Sequence, residues 1–209
     1  GSENPPRLLI LEYDNRDAHK TVALIGKGVT FDSGGMNLKS GKSLSKMKSD
    51  MAGAAAVVAA MIAIAHTNPR LHVLAFIPLV ENMLSGMATR TGDVVRSYSG
   101  KTVEIGNTDA EGRLILADAI SYAQEKYAPD IVIDLATLTG ACVTALGEKI
   151  AGLFSNDEDL AETILSAGEK TGERCWRMPL AYEYRKRLLN EVAHITHTAK
   201  TPAGGSILA

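Results

Sequence analysis

In this chain of 209 residues, 22 Lys and Arg face 24 Asp and Glu for a net charge of −2, which provides neither a basic face for nucleic acid nor an acidic tail. Hydrophobic residues make up 45% of it and cysteines number two, enough apolar material for one folded core and too little thiol for a disulfide framework or a cysteine metal site. What remains is a peptide or small-molecule partner, a reducing cytoplasmic setting, and no membrane, since the longest apolar run, residues 52–65, is shorter than the roughly 18 residues of a membrane span.

In chain order, residues 7–12 and 21–26 read as strands separated by a polar turn, and as neighbours in a hairpin. Four glycines follow within Gly26-Lys27-Gly28-Val29-Thr30-Phe31-Asp32-Ser33-Gly34-Gly35, the signature of a site loop beyond a strand. Asp50 stands directly before an Ala-rich segment, where it reads as the N-cap of a helix to about residue 65 that is apolar nearly all round and therefore buried. Residues 71–80 form an apolar strand closed by Pro78, and residues 103–105 a short one. Apolar residues at Leu114, Ala117, Ile120 and Ala123 predict a helix over 113–127, stopped by Pro129. Residues 131–135 read as a further buried strand, 150–154 as another, and 157–170 and 182–189 as helices. His194 and His197, three apart with no third ligand nearby, read as surface histidines. The alternation of apolar strands with helices gives an α/β fold: a mixed, largely parallel sheet covered by helices on both faces.

Three familiar motifs fail on spacing or scaffold. Gly26-Lys27-Gly28 opens a dinucleotide fingerprint whose third glycine falls on Phe31, and Gly41-Lys42-Ser43 ends a phosphate loop whose leading glycine falls on Met36. Ser33 in Asp32-Ser33-Gly34-Gly35 resembles a serine nucleophile but has no base histidine placed for it. What stays is a set of charged residues at glycine-marked or helix-start positions: Lys27, Asp32, Lys39, Asp50, Asp109, Glu111 and Arg113. Asp109, Glu111 and Arg113 alternate, so an extended backbone would point all three into one cavity. Four facing carboxylates repel unless cations neutralise them, which points to divalent metal.

The octapeptide Asn107-Thr108-Asp109-Ala110-Glu111-Gly112-Arg113-Leu114 resembles the signature of the leucine aminopeptidases, the cytosol aminopeptidase family of dinuclear metallopeptidases. The likeness extends through residues 26–35, Lys39, 47–56, 135–141 and 202–204. It implies hydrolysis of the N-terminal, leucine-like residue of peptides with two divalent ions per chain, Zn or Mn, with Mg or Co as alternatives. By that resemblance Asp32 and Glu111 bridge both ions, Lys27 and Asp50 complete one and Asp109 serves the other. Lys39 polarises the scissile carbonyl, Arg113 holds a bicarbonate ion, and Met47, Asn107, Thr137 and Leu138 line the substrate cleft. The resemblance also implies a cytoplasmic homohexamer in the full-length protein. Residues 1–209 are then expected to be a single domain, most of the C-terminal catalytic domain of a longer chain, and to assemble poorly alone.

Overall fold

The structure, a computed structural model, describes residues 1–209. In order, its elements begin with strands β1 (Arg7–Tyr13), β2 (Thr21–Gly26) and β3 (Gly28–Asp32), a short helix α1 (Gly41–Leu44) and a 3₁₀ turn at Met47–Ser49. Helix α2 (Ala52–Thr67), strands β4 (His72–Asn82), β5 (Val94–Arg96) and β6 (Thr102–Glu104), a 3₁₀ turn at Thr108–Ala110, helix α3 (Gly112–Tyr127) and strand β7 (Ile131–Leu135) follow. Then come α4 (Gly140–Leu146), β8 (Ala151–Leu153), α5 (Glu158–Thr171), β9 (Cys175–Arg177), a 3₁₀ segment Tyr182–Leu188 and β10 (Ile195–Thr196). By packing, the chain divides into two compact units, Gly1–Leu138 with Asn190–His197, and Thr139–Leu189 with Thr198–Ala209.

The first unit is built on a five-stranded sheet of order β1-β4-β2-β7, with β3 also beside β4. Only β1 runs antiparallel to its neighbour; β2 and β3 lie parallel to β4, and β7 parallel to β2. The mixed, largely parallel sheet is therefore as expected. The hairpin is not: β4 inserts between β1 and β2, because its unbroken apolar run suits a central strand covered on both faces. Nor does Pro78 close β4, which continues to Asn82 with Pro78 opposite Leu8 on the edge strand.

Side chains alternate along β4, and the two layers follow from that period of two. Leu74 and Phe76, with Ala23 and Ile25 of β2, pack against Leu116, Ala119 and Ala123 of α3. Val73, Ala75 and Ile77 face Ala54, Val57 and Met61 of α2. Full burial of a side chain such as Phe76 or Leu74 is worth about 1.5–3 kcal/mol. Both helices end in a left-handed residue before a proline, at Asn68 and Ala128.

Helix α2 covers one face of the sheet without being surrounded: Ile62 is exposed, as are Ala55, Ala56 and Ala59. The stretch Met47–Thr67 has the length and hydropathy of a membrane span, but its Gly53, Ala54, Val57 and Met61 stripe is packed in the fold. Strand β7 is likewise only half-buried, being the last strand of its sheet. Contact between α2 and the sheet depends on Gly53, where a Cβ would stand 2.0 Å from Leu135 O. Neither backbone can yield without separating helix from strand. Gly53→Ala is expected to destabilise the chain by about 3 kcal/mol, the upper end of ordinary overpacking; a chemical denaturation midpoint equal to that of the parent would contradict this contact.

The first unit also holds a small sheet of order β10-β6-β5, in which β10 runs parallel and β5 antiparallel to β6. In the second unit β8 and β9 pair in parallel. Its α5 starts at Asp157, whose carboxylate accepts the Leu160 N–H at 2.9 Å, and buries Ala161 and Gly168.

Candidate metal centre

Parallel strands of the first unit end on one side, and the charged residues gather there, the usual place for a site in an open α/β sheet. Lys27 is the single residue between β2 and β3. Its N–H donates to Leu135 O at 2.9 Å and its carbonyl accepts from Ala54 N–H at 3.0 Å, so the end of β7 and the first turn of α2 fix its backbone. Its side chain, 4% exposed, lies against Gly112, where any Cβ would meet Lys27 Cε at 2.5 Å. The ammonium reaches Asp50 Oδ2 at 2.8 Å and Glu111 Oε1 at 3.0 Å, and donates to Thr137 O at 3.1 Å.

Asp32 closes β3. Its Oδ1 accepts from Gly34 N–H and from Asn82 Nδ2, both at 2.9 Å, while Oδ2 faces Lys39 Nζ at 2.9 Å. Lys39 also meets Asp109 Oδ1 at 2.6 Å. The loop between Asp32 and Lys39 turns through left-handed backbone at Gly34 (φ 88°) and Gly35 (φ 63°), conformations that a side chain would strain. It is stitched to the octapeptide by Thr108, whose hydroxyl donates to Gly34 O at 2.6 Å and accepts from Asn37 N–H at 2.9 Å.

Asp109 and Glu111 do not project from an extended strand. The segment is a 3₁₀ turn capped by Asn107, whose side chain accepts the Asp109 N–H at 2.8 Å, and it runs straight into α3. Capping rather than strand alternation brings the carboxylates inward, because Asn107 satisfies an amide the turn would otherwise leave free. Nor is Asp50 an N-cap. Helix α2 begins two residues later, with Lys27 O serving its first turn, and Asp50 turns instead to Lys27 and to the Thr137 hydroxyl at 2.7 Å.

Oxygens of Asp32, Asp109 and Glu111 lie within 4.8 Å of one another. Burial raises the Glu111 pKa, with Lys27 opposing it, and raises that of Asp109, with Lys39 opposing. Burial alone would lower Lys39, but its bonds to Asp109 and Asp32 win and leave it raised. Burial lowers the Arg113 guanidinium, which Glu111 partly offsets. The four carboxylates Asp32, Asp50, Asp109 and Glu111 confront two ammonium groups, with the Arg113 guanidinium coupled to Glu111, so carboxylates outnumber cations and net negative charge remains for another cation to neutralise. An oxygen-rich set of this kind suits a hard or borderline divalent ion.

Of the residues expected around the site, Met47 lies half-buried in the 3₁₀ turn before Asp50, Thr137 is in contact with Lys27 and Asp50, Leu138 is half-buried, and Arg113 is the second residue of α3. Two contributors stayed hidden in the sequence. Asn82, at the end of β4, donates to Asp32 Oδ1, to Thr108 O at 2.9 Å and to Glu111 Oε2 at 3.4 Å. His197 is 5% exposed rather than a surface residue, because pairing of β10 with β6 draws it in beside the octapeptide. A polar residue ending a long apolar strand was the available signal for Asn82. His197 offered none, since its position depends on a strand two residues long.

Fold and centre together define an α/β/α protein with a buried acid and lysine cluster fitted to divalent cations at the ends of its parallel strands. The model of the cytosol aminopeptidase family, catalytic domain, matches residues 1–209, and the chain belongs to that family. It is 54% identical over 205 residues to a probable cytosol aminopeptidase of Chlorobium limicola, covering 98% of this chain and 41% of the relative. A probable cytosol aminopeptidase of Chlorobaculum tepidum is 55% identical over the same share of both chains. The chain thus spans about two fifths of the length of these curated relatives. Among solved structures, the bottromycin maturation enzyme BotP in complex with Mn superposes with a TM-score of 0.94 at 46% identity, over 99% of this chain and 45% of that one. The cytosol aminopeptidase of Coxiella burnetii does so with a TM-score of 0.94 at 40% identity, over 99% and 45%.

Proposed function

We propose that this chain is most of the catalytic domain of a two-metal aminopeptidase that removes the N-terminal residue of peptides, leucine-like residues preferred, within a cytoplasmic homohexamer. The observation that carries the reading is the convergence of four carboxylates on two lysines in a chain matched by the cytosol aminopeptidase family over its whole length. Asp32 and Glu111 would serve both ions, Lys27 and Asp50 one, and Asp109 the other. The donor set fits: oxygens dominate, and Lys27 would have to ligate as the neutral amine, since an ammonium has no lone pair. Manganese and zinc are the favoured ions, a choice that the BotP complex with Mn supports.

When bound, such cations supply Lewis acidity and a water made nucleophilic at neutral pH, a device aminopeptidases share with phosphatases and polymerases. The chain's own residues then do three things. Lys39, released from Asp32 and Asp109, presents its ammonium to the carbonyl oxygen of the scissile bond and stabilises the charge that develops there. Arg113, whose Nη1 donates to His197 O at 2.8 Å, is the residue proposed to bind bicarbonate as a proton acceptor. Met47, Asn107, Thr137 and Leu138 border the space for the peptide. Lys39→Ala should keep its metal yet lose roughly 10²- to 10³-fold in kcat, as for other oxyanion donors; an unchanged kcat would take Lys39 out of the reaction.

Metal content decides the reading first. Elemental analysis of the chain equilibrated with Mn²⁺ is expected to give close to two equivalents, with release of leucine from a leucyl peptide as the companion assay; no bound metal would overturn it. The pH dependence has a defined sign. Glu111 holds its proton more tightly folded than unfolded, so its contribution to the stability of the metal-free chain is full below the ordinary glutamate value of 4.5 and is lost as pH rises through the raised one. Metal replaces that proton. The gain in Tm on adding Mn²⁺ should therefore grow from acid to neutral pH, and a gain independent of pH would count against Glu111 as a ligand.

A further inference from the structure

His197 ties together both ends of the segment that carries Asp109 and Glu111. Its Nε2 lies 3.0 Å from Asn107 O, and its Nδ1 lies 3.3 Å from Gly106 N and 3.2 Å from Glu104 O. With the proton on Nε2, the ring donates to the Asn107 carbonyl and accepts the Gly106 N–H, which serves the start of the octapeptide at two points. Its backbone carbonyl accepts from Arg113 Nη1 at 2.8 Å, which serves the other end. Asp109 and Glu111 fall between these anchors. The ring is buried, and burial lowers its pKa, with Arg113 adding to the effect and the contacts with Glu104 O and Asn107 O opposing it, a balance that favours the neutral, hydrogen-bonding ring.

The neighbouring elements explain why a residue some 90 positions away does this. Ile195 and Thr196 continue the small sheet opposite Val103 and Glu104, and the His197 N–H donates to Glu104 O at 3.4 Å. That ladder delivers the imidazole one step past the end of β6, where the chain leaves the sheet for the octapeptide. The Asn107 carbonyl also accepts the Ala110 N–H at 3.1 Å, a bond within the turn itself.

From this geometry we infer that His197 is a positioning residue: its ring fixes the backbone at Gly106 and Asn107, and so sets where Asp109 and Glu111 present their oxygens to metal. The inference rests on the metallopeptidase reading, yet it can fail separately. Outer groups that orient ligands through hydrogen bonds are commonly worth 10- to 100-fold in metal affinity.

The test compares the full chain with His197→Leu, which fills the space but makes neither ring bond, and with His197→Gln, whose amide can both donate and accept. Mn²⁺ affinity is measured by calorimetry and the Tm of each metal-free chain by differential scanning. Leu is expected to weaken Mn²⁺ binding at least about tenfold, with Gln restoring most of it, while kcat falls with little change in KM. Affinity equal to the parent in the Leu variant overturns the inference, as does equal weakening in both variants at equal Tm, which would mean that hydrogen bonding at this position is immaterial. Should Leu prevent folding, Gln alone decides: near-parental affinity supports the role, and a loss as large as that expected of Leu overturns it. Absence of Mn²⁺ binding in the parent would instead strike the metallopeptidase reading itself.

Discussion

Asp32→Ala is expected to abolish metal loading and peptide hydrolysis together. Asp32 is 2% exposed, and each of its oxygens is engaged, Oδ1 by Gly34 and Asn82 and Oδ2 by Lys39. Truncation leaves the buried Gly34 N–H without its acceptor, at about 1–3 kcal/mol, leaves Asn82 Nδ2 with Thr108 O and Glu111 Oε2, and releases Lys39 toward Asp109 alone. Asp32→Asn separates that structural cost from the loss of charge, since its amide oxygen can still accept from Gly34 and Asn82. Both variants should emerge from elemental analysis with metal depleted, and only the alanine variant should also show a clearly lower Tm without metal. Glu111→Ala is expected to match it in metal, because Glu111 is assigned to the same two ions. Full occupancy in either would remove that residue from the bridging pair.

Lys27→Met carries the second large effect and distinguishes two roles of one side chain. Without metal, the Lys27 ammonium is the nearest cation to both Asp50 and Glu111, and removing one partner of a buried ion pair costs about 3–5 kcal/mol. For a chain of this size that is a fall in Tm of roughly 10 °C. Methionine has a similar reach, so the position against Gly112 stays filled and the cost reports charge rather than a cavity. On the proposed assignment, the variant with metal lacks one ligand and is expected to retain one equivalent of Mn²⁺ where two are expected of the parent. Two tightly held equivalents would show that Lys27 serves only as a counter-ion.

The layers of the fold were legible because β4 and its neighbours are apolar on both faces, α2 and α3 are long, and each helix ends at a proline. Lys27, Asp32, Lys39, Asp50, Asp109 and Glu111 do lie together, since glycine-marked loops and a helix start are strong local signals. The local backbone was not legible. The spacing of Asp109, Glu111 and Arg113 fits an extended strand as well as a 3₁₀ turn, and only the Asn107 cap decides between them. Asp50 looked like a cap because sequence shows its distance from a helix and conceals Lys27 beside it. β1 and β2 looked like a hairpin because their intervening turn is polar, whereas the strand that separates them begins 46 residues after β2 ends, at His72 following Gly26. His197 lay furthest from reach: its burial is set by a pairing of two residues with a distant strand.

The wide separation of the participants has a kinetic meaning. Lys27, Asn82, Glu111 and His197 meet only when three loops of very different length have closed, and loop closure of that kind belongs to the slow, late part of folding in proteins rich in distant contacts. A cation that recognises the finished cluster therefore finds almost nothing to hold in the unfolded or partly folded chain, and stabilises the native state by mass action alone. Its influence falls on the rate of unfolding far more than on the rate of folding. If the proposed ions bind, the protein would acquire them as a finished molecule, and persistence of the folded state, more than the ease of reaching it, would be what the supply of metal controls.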